Sequence, residues 1–172
     1  MPARFILLLS ALLAAAPAQA LYDPAPDATL AAIEGEWHGS LAYRDYSPPH
    51  GIVTLPTGLF VALGAHDELV MHYVYDDGPG KTVHSYETVR FEPSDKRVTW
   101  TTGSRERATT VGHIVSDTLD GTSRRIVVEA TDEDGKARHT FEFARDHVTM
   151  RKEEVEADGA ITLRHTYDFK RP

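Results

Sequence analysis

Ile161-Thr162-Leu163-Arg164-His165-Thr166-Tyr167-Asp168-Phe169 carries apolar or aromatic residues at every odd position except His165, and polar residues at every even one. Strict alternation of this kind marks a β-strand with one face buried and the other in water. Nine segments upstream read the same way: about 36–45, 51–63, 68–76, 81–91, 96–102, 107–116, 123–131, 136–145 and 147–155, with 160–170 as the tenth. Val, Ile, Thr and aromatic residues are concentrated in them, and nothing after Gly35 has a helical period.

The connections are turn-like. Asp120-Gly121, Asp134-Gly135 and Asp158-Gly159 supply the positive φ of tight hairpins, and Asp77-Gly78-Pro79-Gly80 and Ser47-Pro48-Pro49 are longer turns. Consecutive hairpins make an up-and-down meander. Left open, ten strands would leave two edges and an uncovered apolar face, so the expectation is an all-β fold: a single antiparallel barrel of about 8–10 strands, closed by 161–169. Asp27 is placed to cap a short helix running to about Ile33 or Glu34, with Leu30 and Ile33 as its apolar face.

Residues 1–20 have a basic start at Arg4, an apolar stretch from Phe5 to Ala16 and the small-residue end Ala18-Gln19-Ala20. This is the layout of a secretory signal peptide cleaved after Ala20, too short to span a bilayer, and it leaves residues 21–172 as one barrel domain. The absence of cysteine rules out disulfides, thiolate chemistry and a lipid-anchoring cysteine. No asparagine, Arg over Lys and abundant Ala match a GC-rich bacterial genome, so a periplasmic or secreted protein is expected. Without Arg4 the chain has 17 basic against 26 acidic residues, a formal charge of −9 with no basic stripe, which argues against nucleic acid and membrane insertion. The acidic runs Asp132-Glu133-Asp134 and Glu153-Glu154 read as solvated surface.

The first strand opens as Gly35-Glu36-Trp37-His38-Gly39-Ser40-Leu41-Ala42-Tyr43. It resembles the Gly-x-Trp start of lipocalins and the Gly-x-Trp-x-Gly start of nitrobindin-like barrels, both calycins. The resemblance implies a barrel whose Trp37 packs across one end, beside a short plugging helix. It also implies a role for His165, which lies near the chain end where nitrobindin-like proteins place the histidine that ligates haem iron. Haem is the only cofactor that the chain points to: there is no P-loop, no Gly-x-Gly-x-x-Gly and no metal-ligand histidine spacing.

Parity turns Trp37, Leu41, Tyr43, Val53, Leu55, Leu59, Val61, Leu63, Val83, Val89, Phe91, Phe141, Phe143, Ile161, Leu163, Tyr167 and Phe169 inward. Ser85, Glu87, His139 and His165 are the polar residues on those faces, each requiring a partner, water or ligand. The hairpin from Tyr73 to Ser85 has two registers. A four-residue loop, 77–80, sets His72 opposite Ser85 with Glu87 nearby; a five-residue loop, 76–80, sets Met71 opposite Ser85 and Tyr73 opposite Val83. The second is preferred because it buries Leu69, Met71 and Tyr73.

The leading expectation is an exported barrel that binds a small hydrophobic or amphipathic molecule through Trp37, Tyr43, Met71, Tyr73, Ser85, Glu87, His139, Phe141 and Tyr167. Three alternatives stand beside it. One is a general acid/base isomerase or hydrolase working through Glu87, His139 and His165. Another is haem binding through His165. The last is a solid-core structural or inhibitor-like module presenting Tyr75, His84 and Tyr86.

Overall fold

A computed structural model describes residues 27–103, 108–132 and 135–172. The leader, the centre of the loop after residue 103, and Glu133-Asp134 fall outside the described residues. One short helix, α1 (Ala28–Ala31), precedes ten strands: β1 (Gly35–Asp45), β2 (Gly51–Leu63), β3 (Glu68–Asp76), β4 (Thr82–Glu92), β5 (Arg97–Thr102), β6 (Ala108–Asp120), β7 (Ser123–Asp132), β8 (Gly135–Phe143), β9 (His147–Val155) and β10 (Ile161–Lys170). Each pairs antiparallel with its chain neighbour, and β10 pairs with β1, from His38 opposite Lys170 to Tyr43 opposite His165. The barrel is closed as expected.

One end is sealed by residues the sequence brings there twice over. Asp27 caps α1 by accepting from the Thr29 N–H (2.8 Å), and Leu30 and Ile33 are fully buried against Trp37, itself 0% exposed. The Trp37 indole donates to the Ile33 carbonyl (2.8 Å), while the Arg171 guanidinium lies 4.4 Å over its ring and donates to the carbonyls of Glu34 and Arg145. Arg124 grips Asp117 with two hydrogen bonds (2.9 and 2.7 Å) and reaches Asp27, tying β6 and β7 to the helix start. Below the plug, Leu59, Leu69, Phe91, Val98, Ile126, Val128, Phe143, Val148 and Phe169 fill the barrel. Gly39 is obligatory here, since a Cβ would sit 1.9 Å from the Asp168 carbonyl oxygen.

Four sequence expectations need correction. The β3–β4 hairpin pairs Tyr73 with Ser85 and Met71 with Glu87, around a loop at 77–81. Its inner face is the preferred one, but the pairing is offset by two residues, a shift that leaves parity unchanged. Tyr75, expected on the outside, is turned inward, its hydroxyl 2.9 Å from that of Tyr167. Strand β10 carries a bulge between Leu163 and His165, so that Thr162 and not Leu163 pairs with Glu154 in the inner row that includes buried Ala137. Ile161, expected inside, is therefore 49% exposed. A second bulge between Ile114 and Ser116 extends β6 to Asp120, beyond its expected end.

Candidate functional site

The half of the barrel away from α1 is hollow. A cavity of about 700 Å³ opens at that end, so a wholly solid core is not what this chain forms. Its walls follow from the registers. His139, Lys152 and His165 are direct cross-strand partners on β8, β9 and β10, and Phe141, Met150 and Tyr167 form the next row inward. The facing wall carries Tyr73, Glu87, Val89, Trp100 and Thr102.

Burial disfavours the charged forms of Glu87, the two histidines and the phenols in this cavity, while Lys152 and Asp132 form an ion pair in its wall. Glu87 is half-buried, its accessible surface lying inside the cavity, and burial pushes its carboxyl from 4.5 up to about 7, although a hydrogen bond from Tyr73 opposes the shift. The Tyr73 hydroxyl lies 3.4 Å from Glu87 Oε2 and 3.4 Å from Met71 Sδ. Burial likewise raises the phenols of Tyr73 and Tyr167, and that of Tyr75 to about 12. His139 is lowered from 6.5 to about 4 by burial and then by the Lys152 charge; His165 falls to about 4 by burial, with His139, Lys152 and Arg164 adding to it. His139 packs at 4.6 Å against Trp100, and its Nε2 is buried without a partner among the described residues. His165 meets the Tyr167 ring edge-on at 5.5 Å.

Of the residues expected at a site, Tyr73, Glu87, His139, Phe141, His165 and Tyr167 line this one cavity. Trp37 lies at the sealed end, Met71 sits behind the Tyr73 hydroxyl, Ser85 pairs with Tyr73, and Tyr43 pairs with His165. None of these four borders the cavity. Glu87, His139 and His165 share it, yet no hydrogen bond among the described residues joins them; the carboxyl is engaged by Tyr73 instead.

Sequence reasoning missed Trp100, Met150, Lys152 and Asp132. Lys152 Nζ lies 2.8 Å from Asp132 Oδ2, with side chains only 11% and 16% exposed, so Asp132 is part of the cavity wall and not a solvated surface residue. Parity would have found Lys152: Val148 and Met150 face inward, and the next residue in that series is the lysine. Glu154 also has a fixed partner, accepting a hydrogen bond from the Tyr46 hydroxyl (2.9 Å).

No protein-family model matches the chain, and no curated protein does so either. Solved structures do. The crystal structure of Rv2717c from M. tuberculosis superposes with a TM-score of 0.58 at 13% identity, over 83% of this chain and 94% of that one. The S-type phycobiliprotein lyase CPES from Guillardia theta gives 0.56 at 10% identity, over 83% and 90%. These likenesses show the fold alone, a calycin-like ten-strand barrel.

Proposed function

We propose that the barrel binds a small amphipathic molecule in its open half. One observation carries this: a cavity of about 700 Å³ whose walls combine aromatic rings with a few polar groups, the Lys152–Asp132 ion pair among them. Small-molecule sites span roughly 300–1,000 Å³ and combine apolar walls with a few polar groups in this way. A barrel that served only stability would fill the space with Leu and Phe, because each buried carboxyl or imidazole without a strong partner costs free energy. The same architecture is found in a phycobiliprotein lyase, so the fold is compatible with a role beyond stability. Export rests on the leader 1–20 and belongs to the proposal: mass measurement of protein from the host's periplasm is expected to find a chain beginning at Leu21.

Native mass spectrometry of that protein tests the binding itself. The expected result is a single molecule retained per barrel and lost in Thr102→Trp, whose ring projects into the cavity and takes part of its space. Protein that carries nothing, and that binds neither haemin nor any amphipathic fluorophore, would overturn the reading. Haemin belongs in the test because His165 fits it: the imidazole is neutral, faces the cavity, and accepts no hydrogen bond from the described residues. Haem would supply iron chemistry held by that nitrogen, and a Soret shift abolished by His165→Ala is its signature.

A further inference from the structure

Glu87 differs from the other charged groups of the cavity because nothing balances it. It projects from β4 opposite Met71 and Thr102, one row nearer the mouth than Val89 and Trp100. Among the described residues its one hydrogen-bond partner is the Tyr73 hydroxyl at 3.4 Å, and no cation reaches it. Lys152, the ammonium that shares the cavity, stands on β9, five strands away in either direction round the barrel, and is paired with Asp132 at 2.8 Å. Arg151 also borders the cavity, but its exposed side chain lies 3.8 Å from Glu153. Two acids therefore face one inward cation across the described wall. His139 and His165 leave that sum unchanged, since burial lowers both to about 4.

The surroundings of this carboxyl suit a cation. The ring centroids of Tyr73 and Tyr167 are 5.0 Å apart, those of Tyr73 and Tyr75 6.1 Å, and Trp100 lies in the row beneath. Aromatic faces carry partial negative charge, so they attract an ammonium group and repel an acid. The phenol hydroxyls, which burial keeps protonated, offer lone pairs as well. A glutamine would keep the Tyr73 hydrogen bond without the cost of a buried carboxyl, so packing alone gives no reason for an acid at this position. An incoming ammonium supplies one. It gives the ionised carboxylate the countercharge that the described wall lacks, and it lowers the proton affinity of that carboxylate.

We propose that the ligand is an amphipathic amine whose single ammonium group sits between Glu87 and the rings of Tyr73, Tyr167 and Trp100, with its apolar body against Val89, Phe141 and Met150. This rests on the cavity being a binding site, as proposed above, and the test separates the two. In the free barrel Glu87 keeps its proton to about pH 7, whereas the bound ammonium requires the carboxylate. Binding below that pH must then release a proton. The other described groups facing the cavity do not supply it: both histidines titrate near 4, the phenols of Tyr73, Tyr75 and Tyr167 are raised above 10, and Lys152 and Asp132 neutralise each other.

Naphthylmethylamine, naphthylmethanol and naphthoate share a ring system and differ in charge. In titration calorimetry the full chain is expected to bind the protonated amine at one site, about tenfold or more tighter than the alcohol at about pH 8, with the acid weakest. At about pH 6, runs in two buffers of different protonation enthalpy should show close to one proton released per amine bound and none for the alcohol. Glu87→Gln, its folding checked by a cooperative urea transition, should lose both the amine preference and the proton release. Equal affinity for amine and alcohol, or tightest binding of the acid, would overturn the amine class and leave the binding site standing. Binding of haemin but of none of the three would do the same, and binding of none of the four would overturn both. An amine preference without proton release, or one that survives in Glu87→Gln, would overturn Glu87 as its partner. The proton count is read on the wild-type barrel, so it decides the matter even where the variant does not fold.

Discussion

Replacing Glu87 by Gln should change the pH dependence of stability in a defined direction. In the folded barrel the Glu87 carboxyl keeps its proton to about pH 7, whereas in the unfolded chain it releases it near 4.5. Between those values the folded state binds more protons, so this group's contribution is fully present below 4.5 and is lost as the pH rises through about 7. At ~1.4 kcal/mol per pH unit the full effect is about 3 kcal/mol, and about 1.5–3 kcal/mol once water in the cavity is allowed for. His139 and His165 act with the opposite sign. Both are depressed from 6.5 to about 4, so the unfolded chain binds the extra protons and stability grows with pH across that interval. For these three groups together, wild-type stability climbs toward pH 6.5 and declines beyond it.

Glu87→Gln keeps the shape of the protonated acid and removes only the declining limb. Urea unfolding followed by tryptophan fluorescence, with Trp37 buried at the sealed end, reads the difference between variant and wild type. That difference should be close to zero near pH 4.5 and grow to about 1.5–3 kcal/mol in favour of the variant by about pH 8. Taking the difference cancels every other titrating group common to the two proteins. Parallel curves, offset by a constant amount across the whole range, would refute a neutral carboxyl inside the barrel.

The sealed end yields three further expectations. Arg124→Ala leaves Asp117 and Asp27 facing each other without their shared cation, and should cost about 2–3 kcal/mol in urea unfolding, somewhat below a fully buried pair because both acids are partly exposed. Trp37→Ala removes a fully buried ring, its bond to the Ile33 carbonyl and the platform under Arg171, so a loss of about 3–5 kcal/mol is expected, read as a lowered thermal midpoint. Gly39→Ala drives a Cβ into the Asp168 carbonyl and the Phe169 ring, where β1 meets β10. Hydrogen exchange should show the seam strands losing protection before the β6–β7 pair, and uniform protection would count against that seam being so tightly closed.

How far the chain discloses itself depends on what alternation can encode. Ten strands and a closed barrel were legible because Asp-Gly turns and period-two patterning repeat along the whole sequence, and Trp37 was placed at the plugged end by the Gly-x-Trp start. Parity put Tyr73, Glu87, His139, Phe141, His165 and Tyr167 inside, and they do share one cavity. Parity carries no information about offset, however. Tyr73 opposite Ser85 and Tyr73 opposite Val83 bury the same faces, so the register had to come from the loop. Charged residues misled for a different reason. Asp132 looks like a surface residue until its 2.8 Å contact with the inward Lys152 is seen, and Arg124 looks ordinary until Asp117 and Asp27 close around it.

The bulge on β10 connects the fold to the cavity most directly. If β10 continued from His165 in unbroken register, with Arg164 paired to Glu153, Leu163 would pair with Glu154 and enter the inner row just above His139, Lys152 and His165, with Ile161 beyond it. Two apolar side chains would then close over the mouth. Instead, Arg164 is taken up in the bulge, where it pairs with Glu154 at 3.4 Å and lies 4.5 Å over the Tyr46 ring, Thr162 occupies the inner row, and Ile161 is turned to solvent. Bulges re-aim side chains in this way where pairing must give way to a site. Thr162→Leu should therefore return an apolar side chain to that inner row without loss of thermal stability, because the side chain gains burial there. Association of an amphipathic probe should slow by about tenfold, since entry now needs the mouth to open first. Stopped-flow binding measures this, and a Thr162→Leu variant that binds as fast as the wild type would mean that the inner place the bulge gives to Thr162 has no part in keeping the barrel open.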